Sequence, residues 1–375
     1  MTPKRQALSA LTKPLLLMVA RNFELDVSAN DSVDEIREAI AQSKKAKLND
    51  CLAEFPRDVL KEICRAMNLD DSGKEKQPII DRITAKLGGG STDETPQAIE
   101  HLVRANPDLI RGIRVNNSGP GAAREAGRQV AAGEFVQYLD SDDLLLPKKF
   151  EMQVKGLLLH QECGVAYGKT RFYHIAAGPQ DVAWKRTGEV IATMFPSFLK
   201  SRWWDTSTPL YRRAVTDRAG PWLALRNEED WEYDSRIASQ GVNLHYEPAF
   251  VSDTRVHGGR MLSAGGTEPA KLRDRAEAHR LILAHAQRAG IGWDTPEMHH
   301  FSRELFLLCR QCGAAGLPTQ ARMLFELARE ASGPDRSNDN GFKAYSIVAS
   351  IIGWDRLGWL SGVLDHARTQ LKRLG

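Results

Sequence analysis

The chain has no long apolar run. The segment Pro14 to Ala20 is closed by Arg21 and falls well short of the roughly 20 residues a bilayer-spanning helix requires. It is also not followed by the small-residue cleavage site of a secretory leader. Cysteine is scarce: Cys51, Cys64, Cys163, Cys309 and Cys312 are odd in number and scattered, which excludes a disulfide framework and favours a reducing compartment. Neither sign of charge dominates, with 51 Lys and Arg against 48 Asp and Glu, so no global field selects a nucleic acid or an anionic membrane. A cytoplasmic protein is expected, and a peripheral contact with the inner face of the membrane stays open. At 375 residues the chain is long enough for two or three domains.

Composition divides it into three regions. Residues 1–87 are helical in pattern, poor in aromatics and rich in charge; Gly88-Gly89-Gly90 ends them. Residues 88–265 mix short β-like runs with helices, and residues 266–375 are helical again. The first region repeats at an offset of 44 residues. Leu16, Val19, Phe23, Leu25, Ile36 and Ala39 map onto Leu60, Ile63, Met67, Leu69, Ile80 and Ile83. Each copy reads as a helix, a polar turn with a capping Ser, and a second helix. The stretch Leu60 to Gly73 resembles the SAP-type helix–loop–helix modules, which implies a weak nucleic-acid contact. Basic and acidic side chains almost cancel over residues 1–90, however, and this favours a small helical folding or protein-interaction module.

In the middle region Thr95-Pro96 opens a helix, Ile113-Arg114-Val115 reads as a short strand, and Ala122 to Ala132 reads as a helix. Glu134 to Leu139 alternates polar and apolar residues as a strand does, and Pro147 begins another helix. This alternation predicts an α/β sandwich with a mainly parallel sheet. Immediately after the strand stands Asp140-Ser141-Asp142-Asp143. Three carboxylates so close repel one another unless a cation lies among them, and strand ends are where α/β sheets hold ligands. One or two carboxylates completed by substrate phosphates suit Mg²⁺ or Mn²⁺. The same residues also suit an acidic helix start at Pro147, so the cluster alone leaves both readings open.

Other segments accompany the cluster in fixed order. Asn117-Ser118-Gly119-Pro120-Gly121-Ala122-Ala123-Arg124 precedes it; Thr206-Ser207-Thr208-Pro209, Asn227-Glu228-Glu229-Asp230 and Thr254-Arg255-Val256-His257 follow. The series resembles family 2 glycosyltransferases of the GT-A fold, a Rossmann-like α/β sandwich. The resemblance implies a donor site at Asp93, Asn117, Arg124, Asp140 and Asp142. It also implies a divalent metal held by Asp140, Asp142 and His257, and a catalytic pair in which Asp230 is the base and Glu229 orients it or binds the acceptor. The partners implied are a UDP- or GDP-linked sugar and a glycan or lipid-linked acceptor, with inversion at the anomeric carbon. Glu125 stands where the family usually has Asn. Trp203, Trp204, Trp222 and Trp231 flank these motifs, either as core or as an acceptor platform.

The family's first two nucleotide-binding strands have no counterpart upstream, where the helical repeat stands instead. The chain thus reads as an N-terminally truncated transferase domain between a small all-α module and a C-terminal helical region. In that last region Cys309 and Cys312 share a helix face as packing residues, and Gly353 to Leu360 with Arg368, Lys372 and Arg373 suits either a terminal bundle or a membrane surface. Two functions follow: a metal-dependent glycosyltransferase, or a non-catalytic fusion whose N-terminal module binds nucleic acid or protein beside an inactive transferase remnant.

Overall fold

The repeat of the first region is visible in its backbone. The structure, a computed structural model, describes residues 3–361 apart from 44, 47, 68, 73, 74, 78, 81, 82, 84–94, 116, 117, 176, 257–267 and 338. Helices α1 (Pro3–Ala7), α2 (Lys13–Asn22), α3 (Val33–Gln42), α4 (Leu48–Glu54), α5 (Arg57–Ala66) and α6 (Thr95–Ala105) belong to the first of two units, Met1–Ser118. α2 and α5 are related by the repeat offset. Both end in the same way, with Leu25 N–H donating to Ala20 (2.9 Å) and Leu69 N–H donating to Cys64 (2.8 Å). Ser32 and Glu35 form a reciprocal capping box at the start of α3. Leu16, Val19, Ile36, Leu60, Ile63, Ile80 and Ile83 meet in one buried cluster, so the apolar residues of the repeat are the core of this unit. The strand expected at 113–115 does not form: these residues are irregular and exposed, and no strand among the described residues pairs with them.

The second unit, Gly119–Gly375, holds the sheet. Its elements are α7 (Gly119–Val130), β1 (Phe135–Val136), β2 (Leu144–Leu145), α8 (Lys149–Leu159), β3 (Cys163–His174), β4 (Gly178–Pro179), β5 (Leu210–Arg212), α9 (Arg213–Ala219), α10 (Glu229–Ala238) and β6 (Asn243–Val256). After them come α11 (Pro269–Arg288), α12 (Pro296–Ala314), α13 (Pro318–Ala331), α14 (Gly333–Ser337) and α15 (Asn340–Ile352). Strand order is β1-β5-β3-β6-β2, with β4 beside β3. The α/β sandwich stands, but its sheet is mixed rather than mainly parallel. The long β3–β6 pairing is parallel, and every shorter flanking pairing is antiparallel. β1 stops at Val136, and the side-chain amide of the next residue, Gln137, donates to the Tyr138 carbonyl (2.5 Å) and the Ser207 carbonyl (3.3 Å).

Val165 and Tyr167 of β3 share one apolar cluster with Tyr233 and Ile237 of α10 and with Leu272, Ile282, Leu305, Leu308 and Phe325 of the C-terminal helices. Cys309 and Cys312 lie in that cluster, and all five cysteines are free and buried. No helix among the described residues is long and apolar enough to cross a membrane.

Candidate active site

The loop after β1, the start of α10, the segment 200–206 and the end of β6 enclose a cleft of about 770 Å³. Asp140, Ser141, Asp142 and Asp143 form one wall. A tight turn places them there, with Asp143 N–H donating to the Asp140 carbonyl (3.1 Å). From β6, Arg255 clamps the turn: its guanidinium donates to the Asp142 carbonyl and its backbone N–H donates to the Asp143 carboxylate (3.3 Å). Burial, then the neighbouring Asp205, Asp140 and Asp142 charges, push the Asp143 carboxyl up to about 7. Four carboxylates, Asp140, Asp142, Asp143 and Asp205, thus border one wall of the cleft.

α7 supplies Arg124, whose guanidinium reaches Asp140 on one side and Glu229 on the other, both at 2.6 Å. It also lies over the Trp222 ring, 5.0 Å from its centroid. α7 can approach so closely because residue 121 is glycine; a Cβ there would lie 2.0 Å from the Leu223 carbonyl oxygen. One side chain thus ties the acidic loop to the Glu-Asp pair, which is distant in sequence.

That pair sits in the first turn of α10, and the residue before it decides where each carboxylate goes. Glu228 adopts φ +60°, in the left-handed region. Its side chain turns to α11, where it meets Arg275 (2.8 Å) and His279 (2.9 Å). Burial would raise the Glu228 carboxyl, but His279 and Arg275 outweigh it and hold it below its ordinary value. Glu229 and Asp230 line the same cleft that Glu228 borders. Burial and then the adjacent Asp230 raise Glu229, against the pull of Arg124. Asp230 accepts from the Trp231 backbone N–H (2.7 Å) and pairs with Arg202 (2.8 Å).

Several cleft residues lie outside the motifs read from the sequence. Asp205 accepts from the Thr254 hydroxyl (2.5 Å), and burial raises its carboxyl. Lys185, at φ +47°, donates to the Arg202 carbonyl (2.8 Å) and stacks on Trp184 at 4.0 Å. Beneath this wall, Lys149 is completely buried with no carboxylate beside it; it donates to Gln153 (2.6 Å) and the Thr208 carbonyl (2.8 Å), and burial holds it well below its usual range. Of the four tryptophans considered as core or platform, Trp203, Trp204 and Trp222 are buried in the core. Trp231 is half-buried and donates to the Phe198 carbonyl (2.9 Å). The cleft therefore gathers Arg124, Asp140, Asp142, Glu229 and Asp230. Asp93, Asn117 and His257 lie outside the described residues.

Among the described residues no group of three or more His, Cys, Asp or Glu is arranged to hold a metal ion. The residues present nonetheless fit a hard divalent cation of the kind that substrate phosphates complete. Asp140 and Asp142 offer oxygen donors on a loop where burial, and then neighbouring carboxylates, lift Asp143.

Residues 88–211 match the family model described as Glycosyl transferase family 2. An uncharacterized glycosyltransferase of Haemophilus influenzae is 33% identical over 72 residues, 19% of this chain and 29% of that protein. One from Nostoc is 37% identical over 78 residues, 21% of this chain and 24% of that protein, so the chain spans less than a third of the length of either relative. The putative glycosyltransferase EpsH of Bacillus subtilis is 26% identical over 183 residues, 46% of this chain and 51% of its own. Among solved structures, S. aureus TarS 1-349 in complex with UDP-GlcNAc has a TM-score of 0.46 at 18% identity, covering 66% of this chain and 71% of that one. The mannosyltransferase PcManGT from Pyrobaculum calidifontis, in complex with GDP-Man and Mn²⁺, has a TM-score of 0.38 at 18% identity, covering 74% and 76%. These matches place residues 88–211 in the glycosyltransferase class. Residues 88–211, the segment that carries the acidic loop and Arg124, resemble family 2 within that class.

Proposed function

We propose that the cleft transfers a sugar from a UDP- or GDP-linked donor to a hydroxyl of a glycan or lipid-linked acceptor, with inversion. The observation that carries this reading is convergence: Asp140 and Asp142 from one loop, and Glu229 and Asp230 from a helix start far along the chain, line the same cleft. Asp140 and Asp142 would hold Mg²⁺ or Mn²⁺, which when bound neutralises the charge left on the departing diphosphate. Arg255, fastened to the loop carbonyls, keeps both carboxylates turned to that point.

In the transfer the acceptor oxygen bonds to the anomeric carbon as the bond from that carbon to the diphosphate oxygen breaks. The acceptor proton passes to a carboxylate within hydrogen-bond reach, and Asp230 takes it. Each carboxylate oxygen has two lone-pair sites, so the contacts to Arg202 and Trp231 leave Asp230 room to accept it. Glu229, held by Arg124, orients the acceptor hydroxyl.

Calorimetric titration of UDP and GDP with Mn²⁺ tests the donor site. Metal-dependent binding is expected for the wild type, weakened at least tenfold in Asp142→Ala. If neither nucleotide binds the wild type, the cleft is a remnant and the non-catalytic fusion replaces this reading.

A further inference from the structure

Arg202 lies outside every motif that the sequence singles out, yet its guanidinium bridges two carboxylates at the cleft. Its Nε donates to Asp234 (2.8 Å) and its Nη1 donates to Asp230 (2.8 Å). Asp230 and Asp234 are one turn apart on α10 and present their carboxylates on one helix face. Asp234 is fully buried and also accepts from the Trp204 indole (2.8 Å) and the Tyr211 hydroxyl (2.6 Å). These donors occupy Asp234 and leave it one role, which is to fix the guanidinium. The Arg202 backbone is pinned as well: Lys185 holds its carbonyl (2.8 Å), and the next two residues, Trp203 and Trp204, are completely buried.

We infer that Arg202 is a positioning residue for the transfer: anchored by Asp234, its guanidinium holds the Asp230 carboxylate fixed at the cleft wall. The inference rests on reading Asp230 as the base. Glu229 adjoins Asp230 in sequence and Asp205 lines the same cleft, so like-charge repulsion favours turning the Asp230 carboxylate away unless a cation holds it in place. A guanidinium does this while addressing two carboxylates through different nitrogens of one rigid fork, and a lysine ammonium cannot reproduce that geometry. Arg202 itself passes no proton and touches no reacting atom; it acts through Asp230.

The test uses the full chain with Mn²⁺ and a donor panel of UDP-GlcNAc, UDP-glucose and GDP-mannose. Nucleotide release is measured against pH for the wild type, Arg202→Lys, Arg202→Met and Asp230→Asn. In Arg202→Lys we expect kcat to fall at least tenfold, with the donor KM within about twofold and cooperative melting retained. In Arg202→Met the acid limb of kcat should move up by about one pH unit or more, as loss of a neighbouring cation requires, while Arg202→Lys, which keeps the charge, should stay nearer the wild-type limb. Wild-type kcat and an unmoved limb in both variants would overturn the inference. So would loss of cooperative melting in both, which would make Arg202 purely structural. A wild type that releases nucleotide from no donor, or an Asp230→Asn variant as fast as wild type, would instead sink the transfer reading beneath it.

Discussion

Glu228, Glu229 and Asp230 are consecutive in sequence, yet they bond to different partners. All three border the cleft, but the left-handed backbone at Glu228 divides their partners: its carboxylate pairs with α11, and the other two pair with Arg124 and Arg202. A glutamine at 228 would keep the backbone but leave Arg275 and His279 without their counter-charge. Breaking a buried pair on one side costs roughly 3 kcal/mol or more. We therefore expect Glu228→Gln to unfold at a clearly lower urea midpoint with an unchanged m-value. Equal midpoints would show that solvent already screens the pair. At this scale the sequence was only partly legible. Asp140, Asp142, Glu229 and Asp230 could be named because their residue types stand in recognisable strings. Arg202, Asp205 and Lys185 could not, because each is brought to the cleft by tertiary packing from segments whose local pattern carries no chemistry.

At the scale of elements, α7 is the part whose placement governs the cleft, since it carries Arg124 between the acidic loop and α10. Its approach depends on Gly121, where an added Cβ would meet the Leu223 backbone oxygen. A backbone atom yields less readily than a flexible side chain. Gly121→Ala is expected to cost about 1–3 kcal/mol by overpacking, despite alanine's better helix propensity, and to lower the melting temperature by several degrees. A melting temperature at or above wild type would mean the helix shifts without cost. The helices were legible because capping residues and apolar spacing mark them: α2 and α5 obey the repeat residue for residue. The strands were less so. Glu134 to Leu139 alternates correctly, but only Phe135 and Val136 pair, because pairing depends on what the fold places alongside. The parallel sense of one pairing and the antiparallel sense of the others leave no trace in the strands themselves.

Over the second unit as a whole, buried carboxylates set the response to acid. Glu232 is nearly fully buried between Arg236 (2.6 Å) and His285 (2.9 Å); burial raises it, but the hydrogen bonds and charges of those partners outweigh that and hold it low. Glu228 is held low in the same manner. A carboxylate whose folded value is depressed stabilises the fold above its unfolded value near 4.3 and loses that contribution as pH falls through the folded value. The expected outcome is a melting temperature that falls steeply below about pH 4.5, with Glu232→Gln flattening the slope in that window. An identical slope in the variant would assign the acid response to other groups. None of this was legible beforehand, because the sequence shows how many charges there are and not which of them are sealed from water.

The sealed Lys149 has a further consequence. Burial disfavours the charged form of this amine, and a neutral amine is a nucleophile, yet at the start of α8 it is sealed from any reagent. Its rate of acylation would therefore count how often that helix lifts from the sheet. Mass spectrometry of Lys149 under a slow amine reagent would make this one side chain a clock for breathing directly beneath the cleft wall.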